Sequence, residues 1–288
     1  MTALIPAKQE EATAAGPASR YSASRCVAVS LLLLGLLVIG FIGYLLGASG
    51  IQEANDQHRL YATLANELGQ DTGPLGPTKP GSPVALLDIP AIGVHDMVVV
   101  EGTSPEDLTL GPGHLRNTPM PGQLGLSVIY GRRETFGGPF ARLDQLRPGD
   151  KITTITQQGT SVYKVAAIGD SQYPVKDPAV NRLVLLTASS STVPAYYLEV
   201  DADLTTKANN GYVQFPPIGP SEVALAGDSG ALVLTMIWGL ALAVVSVGGG
   251  FAAARWSPWA VYLVVAPAVL AILWNLYESL AALLPNIY

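Results

Sequence analysis

The chemistry open to this chain rests on few groups: one thiol, Cys26, three imidazoles, His58, His95 and His114, and two guanidinium groups, Arg132 and Arg133, in the stretch SVIYGRRETFGGPF, residues 127–140. A hydroxyl nucleophile needs an adjacent base, and a guanidinium, protonated throughout the physiological range, cannot be one. An arginine can instead hold a carboxylate. Arg132 suits a charge-assisted pair with a peptide terminus or an acidic side chain, and a pair with Glu134 or another local acid is the simpler alternative and slightly preferred. Of the histidines, His114 in GPGH is the one placed to act as a base, although local hydrogen bonding is its plainer use. The hydroxyls of SSSTVP after Ala188 suit a solvated loop as well as a site. Glu101, Glu106 and Asp107 fit a helix start better than a calcium cage, so neither a metal nor a cofactor is expected.

The elements that must position these groups begin in lipid. An apolar share of 49% with only 13% charged residues is too apolar for an ordinary soluble chain of 288 residues. Cys26 to Leu46 is 21 residues without a charge, long enough as a helix to cross a bilayer core of about 30 Å. Ala231 to Ala254 is a second such span and about 259–280 a third, opened by Pro258 and flanked by Trp256 and Trp259, which suit a membrane interface. Lys8, Arg20 and Arg25 precede the first span and Arg255 lies between the last two. The N-terminal tail, 1–25, and the loop 255–258 are therefore expected in the cytoplasm, with residues 51–228 outside. Gly43 with Gly47, and Gly249 and Gly250 with Ala253 and Ala254, let helices approach closely. Packing within one chain is preferred to association between chains, and the oligomeric state stays open.

The external segment carries 12 basic and 19 acidic residues, a net −7, which excludes nucleic acid as a partner. Cys26, about a bilayer's thickness away, can supply it with neither a disulfide nor a catalytic thiol. Residues 47–83 read as a juxtamembrane helix, with Leu60, Leu64 and Leu68 at intervals of four and Gly69 past its end, followed by a Pro/Gly-rich spacer from 70. From 84 to 206 short β-type runs alternate with turns: VALLDI, MVVVEG, LSVIYG, RLVLLTA, YYLEVDADL, and a hairpin in KITTITQQGTSVYKVAAI with its turn near Gln158 and Gly159. TSPEDL predicts a short helix capped by Ser104, with Asp107 returning a hydrogen bond. This pattern predicts a mainly β fold, a compact barrel or sandwich, and a linker over 207–230 before the second span.

The runs LLDIPAIGV, VVVEGTSPEDLTLGPGH, TPMPGQLGLSVIYGRRETFGGPFARLDQLRPGD and LVLLTAS followed by YLEVDADL, in that order over about residues 84–204, resemble a sortase. Sortases are membrane-anchored cysteine transpeptidases that attach surface proteins to Gram-positive cell walls, and FGGPF.RL..L..GD most resembles the actinobacterial class E group. The resemblance implies a closed sortase-like β-barrel with short helices, a location at the cell membrane, and a sorting-signal peptide, wall precursor or envelope protein as partner. It also implies where the active groups should be. Such sortases carry Gly-His-Arg where this chain has Gly131, Arg132 and Arg133, and Leu-Thr-Thr-Cys where it has Leu186, Thr187, Ala188 and Ser189. Their catalytic arginine falls at Tyr197. With Arg132, Ser189 and Tyr197 at all three positions, the expectation is a pseudoenzyme whose groove binds through Arg132, Ser189, Tyr197 and His114. The alternatives are a divergent serine acyltransferase using Ser189, with His114 as its base, and a structural envelope component acting through its helices.

Overall fold

The computed structural model describes residues 18–172, 180–189, 196–211, 214–256 and 258–288. Helix α1 is Ala18–Gly43, with Arg20 and Arg25 in its first part and an uncharged run from Cys26 onward. A π-helical turn, Tyr44–Ala48, precedes α2, Ser49–Gly69. The barrel strands are β1 Pro83–Ile89, β2 Val94–Glu101, β3 Gly113–His114, β4 Leu126–Tyr130, β5 Lys151–Thr156, β6 Gly159–Asp170, β7 Arg182–Ala188 and β8 Tyr197–Leu204, with one turn of helix, α3 Asp107–Leu110, between β2 and β3. Two long apolar helices, α4 Ala231–Arg255 and α5 Pro258–Ala281, follow. Three helical stretches are long and apolar enough to cross a membrane: Leu31–Gly69, Ala231–Arg255 and Val261–Ala281.

The eight strands close into a barrel in the order β1-β2-β3-β4-β7-β8-β6-β5, with β1 pairing back onto β5. The β2/β3 and β4/β7 pairs are parallel and the other neighbours antiparallel. Alternation in KITTIT puts Ile152 in the barrel interior while Lys151 faces water. The β5–β6 turn lies at Gln157 and Gln158, because Thr156 pairs with Gly159 and that glycine, with φ of 104°, already opens β6.

RLVLLTA is buried on both faces, as a parallel-paired strand with both sides covered should be. Leu183 and Leu185 join the interior core with Val84, Leu87, Ile129, Phe140 and Val200. Val184, Leu186 and Ala188 point outward into a second cluster with Val128 and Tyr130 of β4. Leu108, Ala224 and Ile287 cover that outer face, so residues expected to form a linker, together with the segment after α5, pack on the barrel.

Helix α2 docks through Leu64, fully buried against Leu86 and Val98, with Leu60 and Leu68 beside it. Gln57 extends the contact by accepting from Val98 N–H (2.8 Å) and donating to Val98 O (3.0 Å) and Leu110 O (2.7 Å). The stretch expected to be a free spacer is fastened too: Gln123 donates to Leu75 O (2.9 Å) and Gln157 to Asp71 (2.9 Å). Helices α4 and α5 pack on each other where Gly249 leaves room, since a Cβ there would lie 3.0 Å from Val265. The flanks of the hairpin bond to each other, Asp228 N–H donating to Ala282 O at 2.8 Å, and the segment beyond meets the barrel where Ile287 O accepts from Arg133 and Ala188 N–H.

Candidate functional site

The ends of β4 and β7 bring the singled-out positions into one neighbourhood. The two strands run in register from Leu126–Arg182 to Tyr130–Leu186, and β8 lies beyond β7 with Tyr197 opposite Ala188. Gly131 follows β4 directly, and the Phe140 ring occupies the space any side chain there would need. Only glycine fits, and the chain passes to Arg132 with Phe140 packed beneath it.

Arg132 is fully buried. Its Nε donates to Leu108 O (3.1 Å), Nη2 to Pro105 O (3.1 Å) and Nη1 to Thr135 Oγ1 (3.2 Å), while the guanidinium lies 4.7 Å from the centre of the Phe136 ring. These bonds satisfy Pro105 O, just before the short α3, and Leu108 O within it, so the arginine pins that turn to the end of β4. Burial pulls its pKa down to about 10, which leaves it a cation at neutral pH. The expected pair with Glu134 is not made by this residue. Arg133 approaches Glu134 (3.7 Å) and bonds Asp144 (2.9 Å), because the chain turns the second arginine outward and the first inward. Nor does Arg132 reach the surface, as a group offered to a ligand's carboxylate would. Arg133, to which the sequence assigns no role of its own, donates from Nη1 to Ala188 O at 3.1 Å and so touches the end of β7.

Ser189 follows β7, its N–H donating to Tyr196 O at 3.1 Å. Its Oγ is buried and has no hydrogen-bond partner among the described residues. The rest of SSSTVP lies outside the described residues. Tyr197 is half-buried at the edge of the outer cluster. Beside it Tyr130 is pushed up to about 12, mainly by burial.

His114 is buried on β3 and committed elsewhere: Nδ1 meets Glu101 Oε2 at 2.9 Å, and Nε2 meets Pro119 O at 2.9 Å and Thr118 Oγ1 at 3.1 Å. No hydrogen bond links His114 to Ser189. The Ser104–Asp107 cap forms as its spacing suggests, with Ser104 Oγ donating to Asp107 Oδ2 (2.7 Å) and receiving Asp107 N–H (3.3 Å). Asp107 thus belongs to the helix start, and among the described residues no group of three or more His, Cys, Asp or Glu could hold a metal ion.

Outside the strands' meeting point, Arg182 holds Asp201 (2.7 Å) and Asp203 (2.8 Å). On the same face of β8 as Tyr197, Glu199 is pushed up to about 7, first by burial and then by neighbouring Asp201.

Residues 87–192 match the family described as sortase domain. Sortase SrtE1 of Streptomyces coelicolor is 29% identical over 177 residues, which are 59% of this chain and 49% of that protein. Sortase D of Bacillus subtilis is 30% identical over 118 residues, 41% of this chain and 52% of that protein. The chain thus spans about half the length of the curated relatives it matches. Among solved structures, a Clostridium perfringens Sortase D5 transpeptidase has a TM-score of 0.45 at 25% identity, covering 53% of this chain and 99% of that one. Sortase E1 from Streptomyces coelicolor, solved with a tripeptide in its active site, has a TM-score of 0.39 at 27% identity and covers 46% of this chain and 93% of that one.

Proposed function

We propose, from the premise that residues 87–192 are a sortase domain in a chain with three helices able to cross a membrane, that this protein is a membrane-anchored pseudo-sortase. In this reading it binds a partner in the cell envelope without transferring an acyl group. The observation that carries the reading is the position of Arg132, enclosed and bonded to Leu108 O, Pro105 O and Thr135 where the resemblance places the proton shuttle. Acyl transfer needs an activated nucleophile, a proton for the leaving amine and donors for the developing oxyanion. Among the described residues Ser189 has no bonded base, Arg132 stays protonated, and Tyr197 offers a hydroxyl without charge. The partner classes consistent with the resemblance are a sorting-signal peptide, a wall precursor and an envelope protein.

The basic residues orient the chain with its N-terminus and Arg255 in the cytoplasm and the barrel outside. The hairpin geometry is compatible with this, since α4 and α5 both meet the barrel at the ends opposite Arg255. A second reading, a scaffold acting through its helices, draws support from the fastening of residues 282–288 to the barrel.

The test is turnover of fluorogenic Leu-Pro-x-Thr-Gly type peptides by the full chain in nanodiscs, beside Ser189→Ala. No turnover is expected from either. Turnover lost in the variant overturns the reading in favour of a serine acyltransferase. If loss of residues 229–288 abolishes partner capture while Ser189 and Tyr197 substitutions leave it intact, the scaffold reading replaces the groove.

A further inference from the structure

Past Tyr130 and Leu186 the β4/β7 ladder continues for one bond, Gly131 N–H to Leu186 O at 3.0 Å, with Thr187 Oγ1 donating to Gly131 O at 2.9 Å. The next two N–H groups on this side, those of Arg133 and Ala188, both donate to a single acceptor, Ile287 O, at 3.1 and 3.3 Å. One residue on, Thr135 Oγ1 donates to Tyr288 O at 2.8 Å. One residue back, Asn286 is fully buried, its N–H bonded to Ala226 O (2.9 Å) and its Nδ2 directed at Thr103 O (3.1 Å), Val223 O (3.0 Å) and Ser221 O. The Ile287 side chain is fully enclosed by the outer-face cluster of Leu108, Val128, Tyr130, Val184 and Leu186.

These contacts are those a bound peptide makes: a backbone carbonyl caught by two strand-end amides, one apolar side chain in a pocket, and one amide side chain read by backbone carbonyls. The segment comes from outside the matched domain, and the barrel closes through its own eight strands without it. We infer that residues 285–288 cover the outer face and the ends of the paired strands β4 and β7 in cis, so that the face beside Ser189 is a peptide site already occupied by an Asn-Ile segment of this chain. The inference rests on the pseudo-sortase reading only for the use of that face.

The hairpin delivers the segment. Helix α5 ends at Ala281 and Ala282 O is held by Asp228 N–H, so residues 283–288 start beside that face. Tethering of this kind gives an effective concentration on the order of mM, and a peptide of similar intrinsic affinity supplied at μM levels does not displace it. The face opens to a peptide in trans when the segment leaves, and displacement of α4 and α5 is the movement that would draw it out.

Two measurements on the full chain in nanodiscs test this. In the unmodified protein the Arg133 and Ala188 amides should exchange hydrogen at least 100-fold more slowly than free-peptide rates; exchange within ten-fold of those rates overturns the inference, whatever any variant does. In the second, a fluorescein-labelled peptide LLPNIY, matching residues 283–288, is titrated against the unmodified chain and against Asn286→Ala/Ile287→Asp. Binding at least ten-fold tighter to the variant, lost when the peptide carries the same two changes, supports occupation in cis. Equal binding to both proteins, or none to a variant whose Arg133 and Ala188 amides have become exposed while β5 and β6 stay protected, overturns it. Turnover assayed on the same variant separates the two readings. Ser189-dependent cleavage on release of the segment keeps the cis occupant and ends the pseudo-sortase reading.

Discussion

A guanidinium enclosed without a carboxylate has exchanged water for two carbonyls, a hydroxyl and the face of Phe136. Arg132→Ala removes the cation but leaves Pro105 O and Leu108 O without their donor, inside a cavity. We expect a loss of about 2–4 kcal/mol, read as a lowered melting temperature of the full chain in detergent, with little dependence on salt. Glu199 makes the opposite kind of prediction. Its pKa is raised in the folded state, to about 7, so its contribution is fully present below the usual carboxylate range near 4.5 and is lost as pH rises through 7. Melting temperatures compared at pH 5 and pH 8 should show a smaller fall for Glu199→Gln than for the unmodified chain. The sequence presents Arg132 and Arg133 as adjacent and chemically identical. What sends one inward and the other to Asp144 is the tight passage at Gly131 over Phe140, a packing relation across nine positions that no local pattern encodes.

Elements with a strong period were legible and those defined by partners were not. The Leu60, Leu64 and Leu68 spacing gave α2 its buried face, and Leu64→Ala should cost about 2–4 kcal/mol and loosen α2 from β1 and β2. Accelerated hydrogen exchange at Val98 N–H, held by Gln57, is the readout, with barrel strands β5 and β6 unaffected. The Ser104–Asp107 cap was equally readable, because both partners lie within one turn. Strand β3, only Gly113 and His114, has no period to detect and exists because β2 and β4 bond to it on either side. The stretch 207–230, rich in Pro and Gly, was expected to be a linker. Its Ala224 and Leu225 became cover for the barrel through contact with strands far away in sequence, and Glu222 locks it there by a two-pronged pair with Arg116 at 2.7 Å.

For the molecule as a whole, the family resemblance could be read from ordered motifs, while the covering of the outer face could not. The resemblance ends near residue 204, and the outer face is completed by Asn286 and Ile287, beyond two apolar helices whose sequences speak only of lipid. The same arrangement sets an order of events during biosynthesis. Asn286 bonds to Thr103 across 183 positions, so the outer cluster on β4 and β7 cannot be sealed until both hairpin helices have been made and their far end has returned to the barrel. Until then Val184, Leu186 and the unpaired amides of Arg133 and Ala188 face solvent on the nascent barrel, a sticky edge for which a chaperone or a neighbouring chain would compete. The return of residues 283–288 to the barrel, rather than closure of the eight strands alone, then completes the outer face.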